Sequence, residues 1–360
     1  MAQWKLGLGI LALMVGCLTG CKPPVEANLS PDGKTVAFTN DDGLNLRDVS
    51  GRSPDKVIRL ENAGSPLFSP DSSQIAIRVG PKACLLDLTT WRWRALPPIS
   101  PPFAWNRSGT ELIGLKGQTA SVVYVKTGTV VRNYPLPITP LFAISVGDDR
   151  DLAFADGSSI VTVHRGVVRS RKVQGRVCML GLDKTSQSPI WGEGDMGPLQ
   201  RSPGPSHAIP HDSVIVRTCS IDLASEPMTI ATVDVSAALG APGRFAEPSS
   251  IAVSPDGSRL ALVGFVDASD PGLMERFAAL GGFDHHKQGS STEAKLNALS
   301  KKMRFRTVCS VLPVSGSRMA PRIVKSKEQF FVLRSSICWS ADGNTLGTVF
   351  DDDVATSTVP

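Results

Sequence analysis

One short pattern recurs along the chain and constrains its fold more than any other feature. A polar residue, Pro-Asp-Gly or a close variant of it leads into a run of β-branched and aliphatic residues. The pattern reads Ser30-Pro31-Asp32-Gly33-Lys34-Thr35-Val36-Ala37-Phe38, Ser69-Pro70-Asp71-Ser72-Ser73-Gln74-Ile75-Ala76-Ile77, Ser254-Pro255-Asp256-Gly257-Ser258-Arg259-Leu260-Ala261-Leu262 and Ser340-Ala341-Asp342-Gly343-Asn344-Thr345-Leu346. Weaker copies lie at Asn106–Ile113 and Asp148–Phe154. Proline presets φ and glycine accepts positive φ, so each copy is a tight turn. Short apolar segments precede the copies, as in Pro66-Leu67-Phe68, Phe103-Ala104-Trp105 and Ile251-Ala252-Val253. Each turn therefore joins two strands of a hairpin. A third strand follows in Leu44–Ser50 and Ala83–Thr89, and a fourth in Val57–Leu60 and Arg92–Leu96.

Spacing turns the hairpins into an architecture. Asp32 to Asp71 is 39 residues, Asp71 to Ser108 is 37, and Ser108 to Asp148 is 40. A period near 40 with four strands per unit is the signature of a β-propeller blade. Turns at Asp32, Asp71, Ser108, Asp148, Ser186, Asp256 and Asp342 predict an all-β propeller of about seven blades. Gly and Pro together supply 33 and 27 of the 360 residues, which suits a turn-rich β protein better than a helical bundle. The second half is stretched by insertions at 192–212 and 267–305. The first is Gly/Pro-rich. The second has helix-forming composition in Leu273–Leu280 and Thr292–Ser300. By strand count both fall between second and third strands, so both loops leave one face, opposite the Asp-Gly turns. That face is the expected docking surface. The last blade has little chain after Phe350, and is expected to be incomplete or to borrow a strand from near Val25.

The turn copies resemble the TolB-type propeller repeat, whose core reads Ser-Pro-Asp-Gly-Lys followed by an aliphatic-Ala-Phe strand; Ser30–Phe38 matches it most closely. The resemblance implies the propeller fold and associates the chain with cell-envelope work, without naming a partner. The amino terminus carries a second resemblance. Lys5 precedes an apolar run from Leu6 to Gly20, too short to span roughly 30 Å of hydrocarbon comfortably. It ends in Leu18-Thr19-Gly20-Cys21, which is similar to the lipobox of bacterial lipoproteins. That likeness implies cleavage before Cys21 and a diacylglycerol thioether on its sulfur. Residues 1–20 then form a leader, 21–25 a lipidated tether stiffened by Pro23-Pro24, and 26–360 a single propeller domain. Lys22 after the cysteine suggests the outer membrane, periplasmic side, in a Gram-negative host.

Chemistry-bearing motifs are scarce. The chain has no Gly-x-Ser-x-Gly elbow and no Gly-rich phosphate loop, and no cofactor is expected. Its five histidines are His164, His207, His211, His285 and His286, and none has a spacing that builds a metal site. Asp41-Asp42, Asp148-Asp149 and Asp351-Asp352-Asp353 lack the alternating oxygen ligands of a Ca²⁺ loop. Trp91, Trp93, Trp105, Trp191 and Trp339 fall in or beside predicted strands, where core and inter-blade packing is expected rather than a sugar platform. The basic stretch Lys295, Lys301, Lys302, Arg304 and Arg306 reads as a solvated helix face. Beyond Cys21, the odd number of cysteines (Cys84, Cys178, Cys219, Cys309 and Cys338) leaves at least one outside any internal disulfide, and most read as small buried hydrophobes. A net charge of +5 is too diffuse to argue for nucleic acid. These features predict a membrane-anchored, non-enzymatic module that binds protein partners or ligands in the cell envelope. The alternative is a propeller enzyme, a sugar or lactone hydrolase or lyase, with its site in the central channel. The predicted inner strands are largely apolar and offer no ring of carboxylates or histidines there. The lipobox makes a direct prediction: radiolabelled palmitate fed to cells should enter the protein, and Cys21→Ala should abolish the labelling and release the chain from membranes.

Overall fold

The computed structural model describes residues 26–146, 151–183, 187–194, 213–242, 246–269, 304–314, 322–329, 335–350 and 353–359, with residues 185, 272, 273, 276, 295, 298, 299 and 302 between them. Its strands form seven antiparallel sheets in strict chain order. The first holds β1 (Ala27–Leu29), β2 (Thr35–Asn40), β3 (Gly43–Asp48) and β4 (Lys56–Ile58). The second holds β5 (Ala63–Phe68), β6 (Gln74–Val79), β7 (Lys82–Asp87) and β8 (Trp93–Ala95), and the third β9 (Ser100–Trp105), β10 (Glu111–Lys116), β11 (Thr119–Tyr124) and β12 (Thr129–Pro135). The fourth holds β13 (Phe142–Val146), β14 (Asp151–Ala155), β15 (Ser159–His164) and β16 (Val167–Lys172). The fifth holds β17 (Arg176–Leu182), β18 (Pro189–Gly194), β19 (Ser213–Thr218) and β20 (Met228–Asp234). A single helical turn, α1 (Val235–Ala238), leads to the sixth: β21 (Ala246–Val253), β22 (Arg259–Asp267), β23 (Phe305–Pro313) and β24 (Arg322–Gln329). The seventh has three strands among the described residues: β25 (Ser335–Trp339), β26 (Thr345–Phe350) and β27 (Asp353–Thr358). The architecture is thus the all-β propeller of seven blades.

Four blades, the first, second, sixth and seventh, begin with the same local lock. Ser69 Oγ donates to Asp71 Oδ1 at 2.6 Å and accepts from Gln74 N at 2.9 Å. Ser254 Oγ lies 2.5 Å from Asp256 Oδ1 and 3.0 Å from Arg259 N, and Ser340 Oγ lies 2.5 Å from Asp342 Oδ1 and 2.9 Å from Thr345 N. Ser30 repeats the arrangement with Asp32 and Thr35. In the third blade Asn106 stands in for the serine, its Oδ1 accepting from Glu111 N at 2.9 Å. These hydroxyls are almost wholly buried, at 0–2% exposure, so each must satisfy its own hydrogen bonds internally. The aspartate folds back over the turn, and the serine caps the first N–H of the second strand.

Register then determines the core. In β2, Val36 and Phe38 pack toward the seventh blade while Ala37 packs toward the second. All seven apolar clusters lie between neighbouring blades, so the core is a ring. Phe68, Ile75 and Leu86 pack on Leu44 and Leu46; Phe154 and Val161 pack on Ile113 and Val122; Leu260 and Leu262 pack on Val214 and Val216. Leu29, Val36 and Phe38 meet Cys338 and Val349 to close it, with Ala341 N donating to Pro31 O at 3.0 Å. Arg259 ties the sixth blade to the seventh through Gly343 O at 2.8 Å and Val359 O at 3.2 Å. Residues 27–29 form the innermost strand of the first blade, paired with β2. The strand borrowing expected for the last blade therefore does not extend to them, and Val25 lies outside the described residues.

The two long connections each join a second strand to a third. Residues 195–212 lie between β18 and β19, and 268–304 between β22 and β23, so both insertions leave the face opposite the Ser-Asp turns. Most of the second insertion lies outside the described residues; Leu273, Arg276, Lys295, Ala298 and Leu299 within it are helical. No helix of the described residues is long and apolar enough to cross a membrane.

The turn lock makes stability depend on pH. The Ser340 hydroxyl holds Asp342 below the ordinary carboxylate range. For Asp71 and Asp256 partial burial pulls upward, but the bonds from Ser69 and Ser73, and from Ser254 and Ser258, outweigh it. A depressed folded pKa contributes stability that is present above the unfolded value and lost as pH falls through the folded one. Urea unfolding at a series of pH values should show stability falling on acidification, with a shallower fall in the Asp71→Asn/Asp256→Asn/Asp342→Asn variant. At neutral pH, Ser69→Ala should cost about 1–3 kcal/mol, because the Gln74 N–H is left buried without its acceptor.

Candidate functional site

The inner strands all run toward the Ser-Asp turns, and their ends frame the mouth of the central channel. A cavity of about 660 Å³ opens there, lined from six blades by the residues at the ends of β5, β9, β13, β17, β21 and β25. Its walls are mostly apolar: Pro70, Trp105, Ile144, Leu180, Leu182, Val253 and Pro255. Asn106, Arg107, Ser145, Ser254 and Asp256 supply the polar points. An apolar concavity with a few convergent polar groups is the usual form of a binding site.

Side-chain bonds between inner strands hold this rim. Trp105 Nε1 donates to Leu67 O at 3.2 Å, and Trp339 Nε1 to Ala252 O at 3.3 Å, each reaching back to the preceding blade. Asn28 reaches the other way, its Oδ1 accepting from Phe68 N of the following blade at 3.0 Å. The Arg259 guanidinium lies 5.5 Å from the Trp339 ring centre. β17 and β21 approach so closely that a Cβ on Gly181 would lie 2.4 Å from Val253 Cγ1, so only glycine fits. Asn106 has no freedom to turn into the cavity, since its amide bonds Ser108 and Thr110 while its carbonyl caps β10.

The other groups singled out from sequence are dispersed. His164 Nδ1 pairs with Asp151 Oδ2 at 2.7 Å on the rim of the fourth blade, while His207, His211, His285 and His286 lie outside the described residues, as does Cys21. Among the described residues no three His, Cys, Asp or Glu converge on one point. Among the described residues, Cys84, Cys178, Cys219, Cys309 and Cys338 form no disulfide. Burial pushes Cys178 and Cys338 up to about 12 and Cys219 to about 11, so they are packing groups rather than nucleophiles. Glu193 is buried at 4% exposure on β18, where it accepts from Trp191 Nε1 at 2.8 Å and lies 3.2 Å from Arg217 Nε. It is a structural acid inside the fifth blade.

The tryptophans divide. Trp105, Trp191 and Trp339 pack between blades as expected. Trp91 and Trp93 do not, contrary to the expectation from sequence: they are 40% and 39% exposed on the outer edge of the second blade. No next strand lies outside β8 to cover them. The channel-mouth residues Ile144, Leu180 and Leu182 were not singled out, because they precede the two weakest copies of the repeat. Apolar residues at the ends of those inner strands were the available signal.

No family model and no curated protein matches this chain. Solved structures do. Kuenenia stuttgartiensis hydrazine synthase aligns with a TM-score of 0.59 at 12% identity, covering 93% of this chain and 95% of that one. A chain of the mitotic checkpoint complex gives 0.56 at 13%, covering 93% and 86%. Kluyveromyces lactis Hsv2 gives 0.53 at 11%, covering 93% and 92%. At such identities the likeness concerns the fold alone. The close packing at the mouth predicts that Gly181→Val, which overfills the β17–β21 contact, costs about 1–3 kcal/mol, read as a lowered urea midpoint.

Proposed function

We propose that the chain is an exported lipoprotein, held to a membrane through lipid on Cys21, and that its propeller is a non-enzymatic binding module for a protein partner in the cell envelope. The lipobox-like Leu18-Thr19-Gly20-Cys21 and the TolB-type turns support the address, and Lys22 favours the periplasmic side of an outer membrane. The observation that carries the binding reading is the apolar cavity framed by six inner-strand ends.

The anchor also selects a face. Residue 26 enters β1 on the face from which both insertions leave. Five tether residues reach at most about 17 Å. A lipid on Cys21 therefore turns the insertion face toward the leaflet and leaves the Ser-Asp turn face, with the channel mouth, open to partners. This moves the docking surface from the insertion face, where the loop lengths alone would put it.

Cross-linked affinity capture from native membranes tests the reading, comparing the wild type, a deletion of residues 268–304 and Leu182→Glu at the mouth. Specific envelope proteins should be captured by the wild type and the deletion and lost with Leu182→Glu. Loss with the deletion alone would return docking to the insertion face. Capture of nothing specific, together with small-molecule turnover, would favour a channel enzyme.

A further inference from the structure

A second concavity lies away from the channel, on the outer rim of the Ser-Asp turn face. It is an open groove of about 590 Å³ between the second and third blades. Its lining differs from that of the mouth, being dominated by Asp71, Asp87, Arg92, Arg94 and Lys126 with the aromatic rings of Trp93 and Tyr124. Ser69, Ser73, Thr90 and Thr110 add hydroxyl side chains from both blades, and Leu85 and Val125 apolar ones.

The turn that builds this rim is made in an unusual way. Leu88 N donates to Ser73 O, and Val125 N donates to Thr110 O, both at 2.9 Å, so Asp87–Trp91 and Tyr124–Gly128 are equivalent segments of successive blades. The third blade places glycine at the left-handed position, Gly128 with φ +71°, and open space surrounds its α-carbon. The second blade places Trp91 there with φ +56°. A bulky residue in that conformation is strained. Its half-exposed indole turns toward the first blade, where the Lys56 ammonium lies 3.8 Å from the ring centre, so Trp91 borders the groove through its backbone neighbours Thr90 and Arg92 rather than through its ring. Trp91 and Trp93 are the only aromatic residues among the exposed large hydrophobics of the described residues.

The polar groups of the groove are preorganised. Asp87 Oδ1 accepts from Thr89 N at 2.9 Å and Thr90 N at 2.7 Å. Those bonds, the one from Thr90 foremost, hold the carboxyl below its ordinary range, so it is an ionised acceptor at neutral pH. Arg94 Nη1 donates to Lys126 O at 3.0 Å and fixes the guanidinium across the two blades. An exposed indole face beside fixed carboxylate and guanidinium groups matches a ligand that carries C–H faces and rings of hydroxyls.

From this arrangement we infer that the groove between the second and third blades is a saccharide-binding site, with Trp93 as stacking platform and Asp87 and Arg92 pairing with hydroxyls. The site is separate from the channel mouth and independent of the partner-binding proposal.

Indole fluorescence titration of the unlipidated chain from residue 22, with cellohexaose, chitohexaose, maltohexaose and a galacturonic acid hexamer as probes, tests it. At least one probe should quench the emission with a saturable Kd, and Trp93→Ala should weaken that Kd by about tenfold or more, followed by isothermal calorimetry. Asp87→Asn keeps the shape and should weaken binding several-fold. Trp91→Gly restores the glycine of the sister blade outside the groove and should leave binding unchanged. Circular dichroism establishes that each variant is folded. The proposal is overturned if no oligosaccharide binds the wild type, or if folded Trp93→Ala and Asp87→Asn both bind as it does. It is also overturned if only a poly-glutamate peptide quenches, which would assign the rim to an acidic protein partner.

Discussion

The buried serine hydroxyl at the start of each strong blade is the interaction on which the rest depends. Ser69 and its counterparts sit where water cannot reach, each donating to the turn aspartate and accepting from the next strand. That bond pair sets where the inner strand ends and the second begins, and so sets the register of the hairpin. Register decides which side chains face the preceding blade and which the following one, because a slip by one residue would exchange the two sets. The ring of seven inter-blade clusters follows from it. No blade has a core of its own, so each is stable only against its neighbours, and the contact of Leu29, Val36 and Phe38 with Cys338 and Val349 matters as much as any other.

The two faces of the ring have been put to different uses. On one, tight turns carry aspartates, prolines and the channel mouth. On the other, the fifth and sixth blades carry long connections between their second and third strands, and the chain enters its first strand. Antiparallel order forces this division: every insertion between second and third strands must leave the same face, whatever its sequence. The rim adds a third surface, since the outermost strand of a blade has no partner beyond it and whatever points outward there meets solvent.

Much of this was legible in the sequence, and what was not has a physical explanation. The Pro-Asp-Gly copies announced the blades because the turn needs those residues whatever surrounds it. The fifth turn, near Ser186, was found only by spacing, since Asp183 there collects the turn bonds in place of the serine-led lock. Trp105 and Trp93 looked alike in sequence, each in a short strand beside basic or aromatic neighbours. Trp105 ends an inner strand and is covered by two blades, whereas Trp93 begins an outer one and is covered on one side only. Strand position within the blade, not local hydrophobicity, separates them. The channel mouth was illegible for a related reason: its residues come from six blades, and no local pattern links Ile144 to Leu182 or Val253.

The sequence by itself determined the strand-turn-strand units, their period and number, and the strand connections that carry the insertions. All of these rest on bonds within a few residues of each turn. Only the tertiary structure decided which inner-strand ends converge on a cavity, which tryptophans are buried, and that blades two and three leave a groove between them. Those features depend on contacts between residues far apart in the chain, set by how each blade twists and packs on the next, and local chemistry carries no record of that.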